Sequence, residues 1–202
     1  YGPSTNMDDK NLVGTSANYD WGVFNAISDG GNTPGQWRTL SMAEWTYLMA
    51  NSTRALATIN ISSTQSVRGL IILPQEEEVS GFASSDIVAP SNDNDENWVH
   101  DRNQENNPIV ATDAFWGQHT YTLDQWQEME KEHNAVFLPA VGYRSPEGHV
   151  STGGFYWTTT YGDKQRSFVF RFGSGTNNLH SLYRCRGRGV RLVQDVSAPS
   201  AK

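Results

Sequence analysis

The stretch from Gly154 to Val193, GFYWTTTYGDKQRSFVFRFGSGTNNLHSLYRCRGRGVRLV, constrains this chain more than any other. Aromatic and polar residues alternate through it, and the order reads as strand, turn, strand, irregular loop, strand. A period of two is the mark of a sheet, because successive side chains of a strand point to opposite faces. Phe168, Phe170 and Phe172 share one face, with Ser167, Val169 and Arg171 on the other. The alternation predicts that the Phe face is core and that the opposite face, with its loops, is offered to solvent.

Upstream, two helices announce themselves by their starts. Ser41 followed three residues later by Glu44, and Thr122 followed by Gln125, are capping boxes that satisfy free amides of a first helical turn. Trp45, Leu48 and Met49 then line one helical face, as do Leu123, Trp126 and Met129 in the second segment. Lys131 and His133 at the end of that segment suit a helix C-terminus. Arg54 to Asn60, the apolar run Gly69 to Leu73 and the segment Ala135 to Pro139 read as strands, the latter two buried. Trp37 and Leu40 suggest a short strand, and Val190, Leu192 and Val193 a last one. Trp37, Trp45, Trp126 and Trp157 read as core, and one of Tyr156 and Trp157 should be exposed.

A chain of 202 residues with 37% apolar residues but seven Trp builds its core from few, large side chains. Eighteen Gly imply much irregular backbone. The reading is one domain over residues 1–195, with residues 75–120 a loop-rich surface insertion and 196–202 a disordered tail. Tyr1-Gly2-Pro3 reads as an internal position of a longer chain, so a targeting signal would lie upstream. The net charge of −7 argues against general nucleic-acid binding, and no apolar run reaches membrane-spanning length. Direct membrane insertion is therefore not expected. The lone Cys185 excludes an internal disulfide.

Four segments, WRTLSMAEWTYLM (Trp37 to Met49), AVFLPAVGYR (Ala135 to Arg144), GFYWTTTY (Gly154 to Tyr161) and GRGVRLV (Gly187 to Val193), occur in an order and spacing that carry a resemblance. The chain resembles a large group of surface and phage proteins of gut Bacteroidetes with a C-type-lectin-like fold, related to the formylglycine-generating sulfatase-modifying enzymes. The resemblance implies an α+β fold in which two helices flank a small, mostly antiparallel sheet with long irregular loops. It further implies ligand recognition outside the cell, on a bacterial surface or phage virion, as a receptor-binding protein or adhesin for a protein or glycan on a cell surface. Thr176 to Gly187 resembles the tract that a diversity-generating retroelement rewrites at adenines in the variable proteins of this fold. Two alternatives on the same scaffold are an enzyme or maturation factor of the formylglycine-generating kind and a structural pilus-tip or phage-tail subunit.

The contact residues expected from this reading are Tyr161, Asp163, Arg166, Val169, Arg171, His180, Ser181, Leu182, Tyr183, Cys185 and Arg186. Tyr and Arg are the usual anchors of interfaces. Catalysis has less support. The formylglycine-generating relatives use a cysteine pair, whereas Cys185 stands alone, and the five His show no metal-ligand spacing. The tripeptides that hold Ca²⁺ in sugar-binding C-type lectins are missing, and Asp93 to Asn97 reads as a solvated loop. No metal or cofactor is expected, and oligomeric state is left open. Arg184, Arg186, Arg188 and Arg191 form a basic cluster that reads as pairing with carboxylates or with an anionic ligand.

Overall fold

A computed structural model describes residues 12, 17, 19–27, 33–75, 79, 116–117, 119–150, 153–173 and 178–195. Most of the range read as an insertion and the tail after Asp195 lie outside the described residues. Within them the fold is mixed α+β, dominated by strands arranged in several small sheets.

The centre is a hairpin of two nine-residue strands, β2 (Ser52–Asn60) and β3 (Ser66–Pro74), in register from Ser52 opposite Pro74 to Asn60 opposite Ser66. Its sheet runs β4-β2-β3-β5, with β4 (Thr120–Thr122) parallel to β2 and β5 (Val136–Pro139) antiparallel to β3. Both faces are covered, and alternation sorts the side chains into two cores. Leu56, Leu70, Ile72 and Leu138 join Trp45 and Met49 on one side. Ala57, Ile59, Ile71 and Leu73 meet Trp126 and Met129 on the other. Burial of each Leu or Ile stabilises the fold by roughly 1.5–3 kcal/mol, which makes the hairpin the main reservoir of stability. Gly69 is required here, because a Cβ on it would lie 2.4 Å from the Phe137 ring.

The two helices that supply those partners start where the capping boxes place them. In α2 (Met42–Ala50), the Glu44 amide donates to Ser41 Oγ (3.2 Å) and the Ser41 amide to Glu44 Oε2 (2.8 Å). In α3 (Leu123–His133), Thr122 and Gln125 make the same reciprocal pair, and Asn134 ends the helix in the left-handed conformation at φ 52°. A single four-residue turn, α1 (Trp21–Phe24), precedes them. It is anchored by the buried Asp20, which accepts from the Thr39 amide (2.7 Å) and the Thr39 hydroxyl (2.7 Å).

The ends of the described chain meet. β1 (Trp37–Thr39) pairs antiparallel with β12 (Leu192–Gln194), and Arg38 clasps Glu44 (2.6 Å) and Asp195 (2.7 Å) together. The first strand stops at Thr39 rather than Leu40. Val190 precedes the last strand and is exposed.

The C-terminal sheet has the order β10-β9-β8, all antiparallel: β8 (Gly154–Tyr161), β9 (Arg166–Phe172) and β10 (Asn178–Tyr183). Phe170 stacks on Trp45 with ring centres 4.5 Å apart, and Phe172 stacks on Tyr156, whose hydroxyl donates to the Pro139 carbonyl (2.6 Å). Burial pushes the Tyr156 phenol up to about 12. β6 (Tyr143–Ser145) and β7 (Gly148–Val150) form a hairpin extended by β11 (Gly187–Arg188) in the order β11-β6-β7.

Three expectations from the alternation are corrected here. Val169 (0% exposed) and Leu182 (4%) do not face solvent; with Phe155 they form a third core cluster, covered by Tyr143 and Trp157. Arg171, at 6% exposed, is also interior. The third Phe of the strand, Phe168, is only half-buried. The cause is a second layer: Tyr143, at the start of β6, packs edge-on against Phe155 at 5.1 Å and closes the face that alternation assigns to water. Trp116, within the range read as a surface insertion, is likewise core, 4% exposed. It lies against Gly173, where φ is +74° and an ideal Cβ would sit 2.5 Å from the indole. Among the Trp, Trp45 and Trp126 are buried as expected, whereas Trp37 and Trp157 are half-buried and Tyr156 is the buried member of its pair.

Candidate functional site

One end of the C-terminal sheet leaves the core. Burial along β9 rises from half-buried Arg166, Ser167 and Phe168 to fully enclosed Val169 through Phe172. β8 shows the same gradient in reverse, ending in half-buried Thr160 and Tyr161. The strand ends lie side by side because Tyr161 and Leu182 both pair with Ser167, and Tyr183 pairs with Arg166. Between Trp157 and Tyr161 the register slips, since β8 advances four residues while β9 advances two. Such a bulge bends a strand and re-aims its last side chains.

The turn joining β8 to β9 is fixed by its own backbone. Arg166 N–H donates to the Asp163 carbonyl (3.2 Å), and the Gln165 amide donates to Asp163 Oδ1 (2.8 Å). Pairing continues past β10, where the Arg184 amide donates to the Gln165 carbonyl (2.8 Å). The two turns are thereby tied together.

On this base sits a rim of arginines laid on aromatic rings. The Arg166 guanidinium lies 4.7 Å from the centre of the Tyr183 ring and donates to its hydroxyl (3.2 Å), with Asp163 at 4.0 Å. Arg184 lies over Tyr161 at 5.8 Å and donates to the Lys164 carbonyl. Arg188 lies between Trp157 (4.6 Å) and Tyr143 (5.7 Å) and donates to the Tyr183 carbonyl (2.7 Å). Arg186 covers Tyr143 at 5.4 Å. Cation–π contacts of this kind contribute about 0.5–1 kcal/mol each at exposed sites, enough to orient a guanidinium without removing it from water. Next to Arg186, Glu147 is held below the usual carboxylate range by its hydrogen bond with Ser145, with Arg186 adding to the effect.

The structure therefore gathers Tyr161, Asp163, Arg166, Tyr183, Cys185 and Arg186 at one rim. His180 and Ser181 are half-buried further along β10, opposite Val169 and Phe168. Val169, Leu182 and Arg171 belong to the interior and are unavailable to a ligand. Tyr143, Trp157, Arg184 and Arg188 complete the rim and were not among the expected contact residues. Their signal in the sequence is the alternation Arg184-x-Arg186-x-Arg188, whose aromatic counterparts come from β6 and β8, distant in sequence.

Among the described residues no group of three His, Cys, Asp or Glu side chains is placed to hold a metal ion, and no helix is long and apolar enough to cross a membrane. The acidic run Asp93 to Asn97 lies outside the described residues. Comparison of the chain with protein-family models, with curated proteins and with solved structures finds no match.

Proposed function

We propose that this chain is a ligand-recognition module of the C-type-lectin-like kind, a receptor-binding protein or adhesin that works outside the cell by binding rather than by catalysis. The observation that carries the reading is the rim itself. Tyr, Trp and Arg, the residue types that dominate interface energetics, converge at one end of a sheet whose other end is locked into the core. A rigid base lowers the ordering cost of binding, so exchange of rim side chains alters what is bound while leaving the fold in place. The β10 strand and the turn after it, which form half of the rim, fall inside the tract that resembles a retroelement-rewritten segment. A template repeat beside a reverse-transcriptase gene in the flanking DNA, matching the codons of Thr176 to Gly187, is the expected genomic counterpart.

The test is a screen of the intact chain on bacterial-cell and glycan panels, followed by a variant carrying Tyr161→Ala, Tyr183→Ala and Arg184→Ala. Loss of the captured ligand with unchanged near-ultraviolet circular dichroism is the expected result. Equal capture by the folded triple variant would remove the rim from the binding surface.

A further inference from the structure

The chemistry of the rim narrows what it can bind. The chain carries a net charge of −7, yet Lys164, Arg166, Arg184, Arg186 and Arg188 meet at this one place. The carboxylates placed among them are Asp163, 4.0 Å from Arg166, and Glu147 near Arg186. Among the described residues, Arg184 and Arg186 have no carboxylate within ion-pair distance. The excess of positive charge is local, and it is held in a geometry.

That geometry separates three kinds of anionic ligand. A single-stranded nucleic acid needs open ring faces on which bases stack, and a sugar ring uses the same faces. Here Tyr143, Trp157, Tyr161 and Tyr183 are half-buried and carry guanidinium groups. Among the described residues the exposed aromatics are Tyr19, Trp21 and Tyr47, on or beside α1 and α2 instead. What the rim presents is the edge of planar guanidinium forks stacked on rings, with phenol groups between them. Such edges match the two oxygens of a carboxylate, and stacking has already restricted their rotation. Discrete carboxylates on an extended chain fit better than a continuous phosphate backbone, which the rest of this acidic surface repels.

We infer that the rim formed by Arg166, Arg184, Arg186 and Arg188 binds an Asp/Glu-rich segment of a partner protein. The inference rests on the rim being the recognition surface and adds the chemistry of its ligand. The guanidinium edges of Arg184 and Arg186 donate to the partner's carboxylates, and the Tyr161 and Tyr183 phenols flank them. Because the contacts are charge-assisted and partly exposed, affinity falls as salt is raised.

The experiment is a fluorescence-anisotropy titration of the whole chain with three labelled probes: a twelve-residue peptide of alternating Glu and Ser, polygalacturonate, and a twelve-nucleotide oligo-dT. A Gln/Ser peptide is the neutral control. The expected result is saturable binding of the acidic peptide, at least tenfold tighter than the neutral peptide. It should weaken at least tenfold in the Arg184→Gln/Arg186→Gln variant. It should hold within twofold in Arg68→Gln/Lys131→Gln, which removes the same charge from β3 and α3. If the first variant does not fold, Arg184→Gln and Arg186→Gln are titrated singly in its place, and each should weaken binding severalfold.

Equal affinity for acidic and neutral peptides, or equal losses in the rim and control variants, would overturn the inference. Saturable binding of polygalacturonate or oligo-dT that is lost in the rim variant, with the acidic peptide silent, also overturns it. That last outcome leaves the rim standing as a recognition surface, whereas the failure of that broader reading is the folded alanine variant that still captures its ligand.

Discussion

The two ends of the C-terminal sheet are made by the same three strands and do opposite work. At one end Phe170, Phe172, Tyr156 and Leu179 are enclosed with Trp45, and rings touch rings. At the other, Tyr161 and Tyr183 are partly exposed, the Arg166 side chain lies largely covered at 11% exposure, and rings touch guanidinium groups. The division runs along the strands and not between their faces. Both faces are apolar in the middle, because the hairpin sheet with α2 covers one and Tyr143 with Trp157 covers the other. A sheet covered on both sides can offer a ligand only its ends, its turns and whatever side chains reach past its covering layer.

The largest effect expected from this contrast is at the locked end. Phe170→Ala removes a ring that is 1% exposed and stacked on Trp45, and should cost about 3–5 kcal/mol in urea denaturation. A cost under about 1 kcal/mol would mean that the two layers are not held together there. Next comes Leu182→Ala. As a ligand contact, Leu182 would be dispensable for folding. As a member of the Phe155 and Val169 cluster, it should cost about 2–5 kcal/mol, read in the same titration. A stable Leu182→Ala chain that fails to bind would return this residue to the binding surface.

The misassignment of Val169 and Leu182 shows where the sequence stops being informative. Helix starts were legible to the residue, because a capping box is a local arrangement that its own side chains complete. The strands β3 and β5 were legible because an apolar run ended by Leu-Pro has few other uses, whereas their pairing was not. Period two correctly gave strands, but it cannot say whether the second face meets water or another layer. That layer is contributed here by Tyr143 of β6, which packs against Phe155 and is not visible in the periodicity of the strands it covers. The arginine cluster was visible as composition, whereas its ring partners depend on β6, β8 and β10 converging.

A smaller effect is expected where the two ends of the chain are fastened. The Arg38 guanidinium is raised above its usual range by the hydrogen bonds it donates to Asp195 and Glu44. Burial pushes the Glu44 carboxyl up, but hydrogen bonds from Arg38 and from Ser41 outweigh it and hold the group below the usual range. Asp195 is lowered mainly by its hydrogen bond from Arg38. Both carboxylates have depressed pKa values in the folded state, so their contribution is present above the unfolded carboxylate range near 4. It is lost as pH falls through the folded values. The pairs are partly solvated, with Arg38 side-chain exposure of 33%, which limits their worth to about 1 kcal/mol. Arg38→Gln should therefore lower Tm at pH 7 by about 2–4 °C. The gap from the parent chain should narrow as pH falls below the usual carboxylate range, and a gap that persists once both carboxylates are protonated would assign the loss to packing of the Arg38 stem.

The smallest effect tests whether the rim is held by its own contacts or merely by the strands beneath it. Arg166 and Tyr183 face each other across β9 and β10, with the guanidinium 4.7 Å from the ring centre and a 3.2 Å hydrogen bond to the phenol oxygen. Arg166→Gln, Tyr183→Leu and the double variant form a double-mutant cycle in which the shared register is constant and only the stacked pair is removed. A coupling of about 0.5–2 kcal/mol is the expected value for a cation–π pair whose guanidinium is largely covered. It is far below the loss expected at Phe170, and the size of that difference is the physical content of the two ends. Zero coupling would mean that Arg166 is oriented by Asp163 and the turn, leaving the Tyr183 ring free for a ligand to cover. A coupling above about 2 kcal/mol would place the pair inside the fold, and would shorten the exposed rim to Arg184, Arg186 and their neighbours.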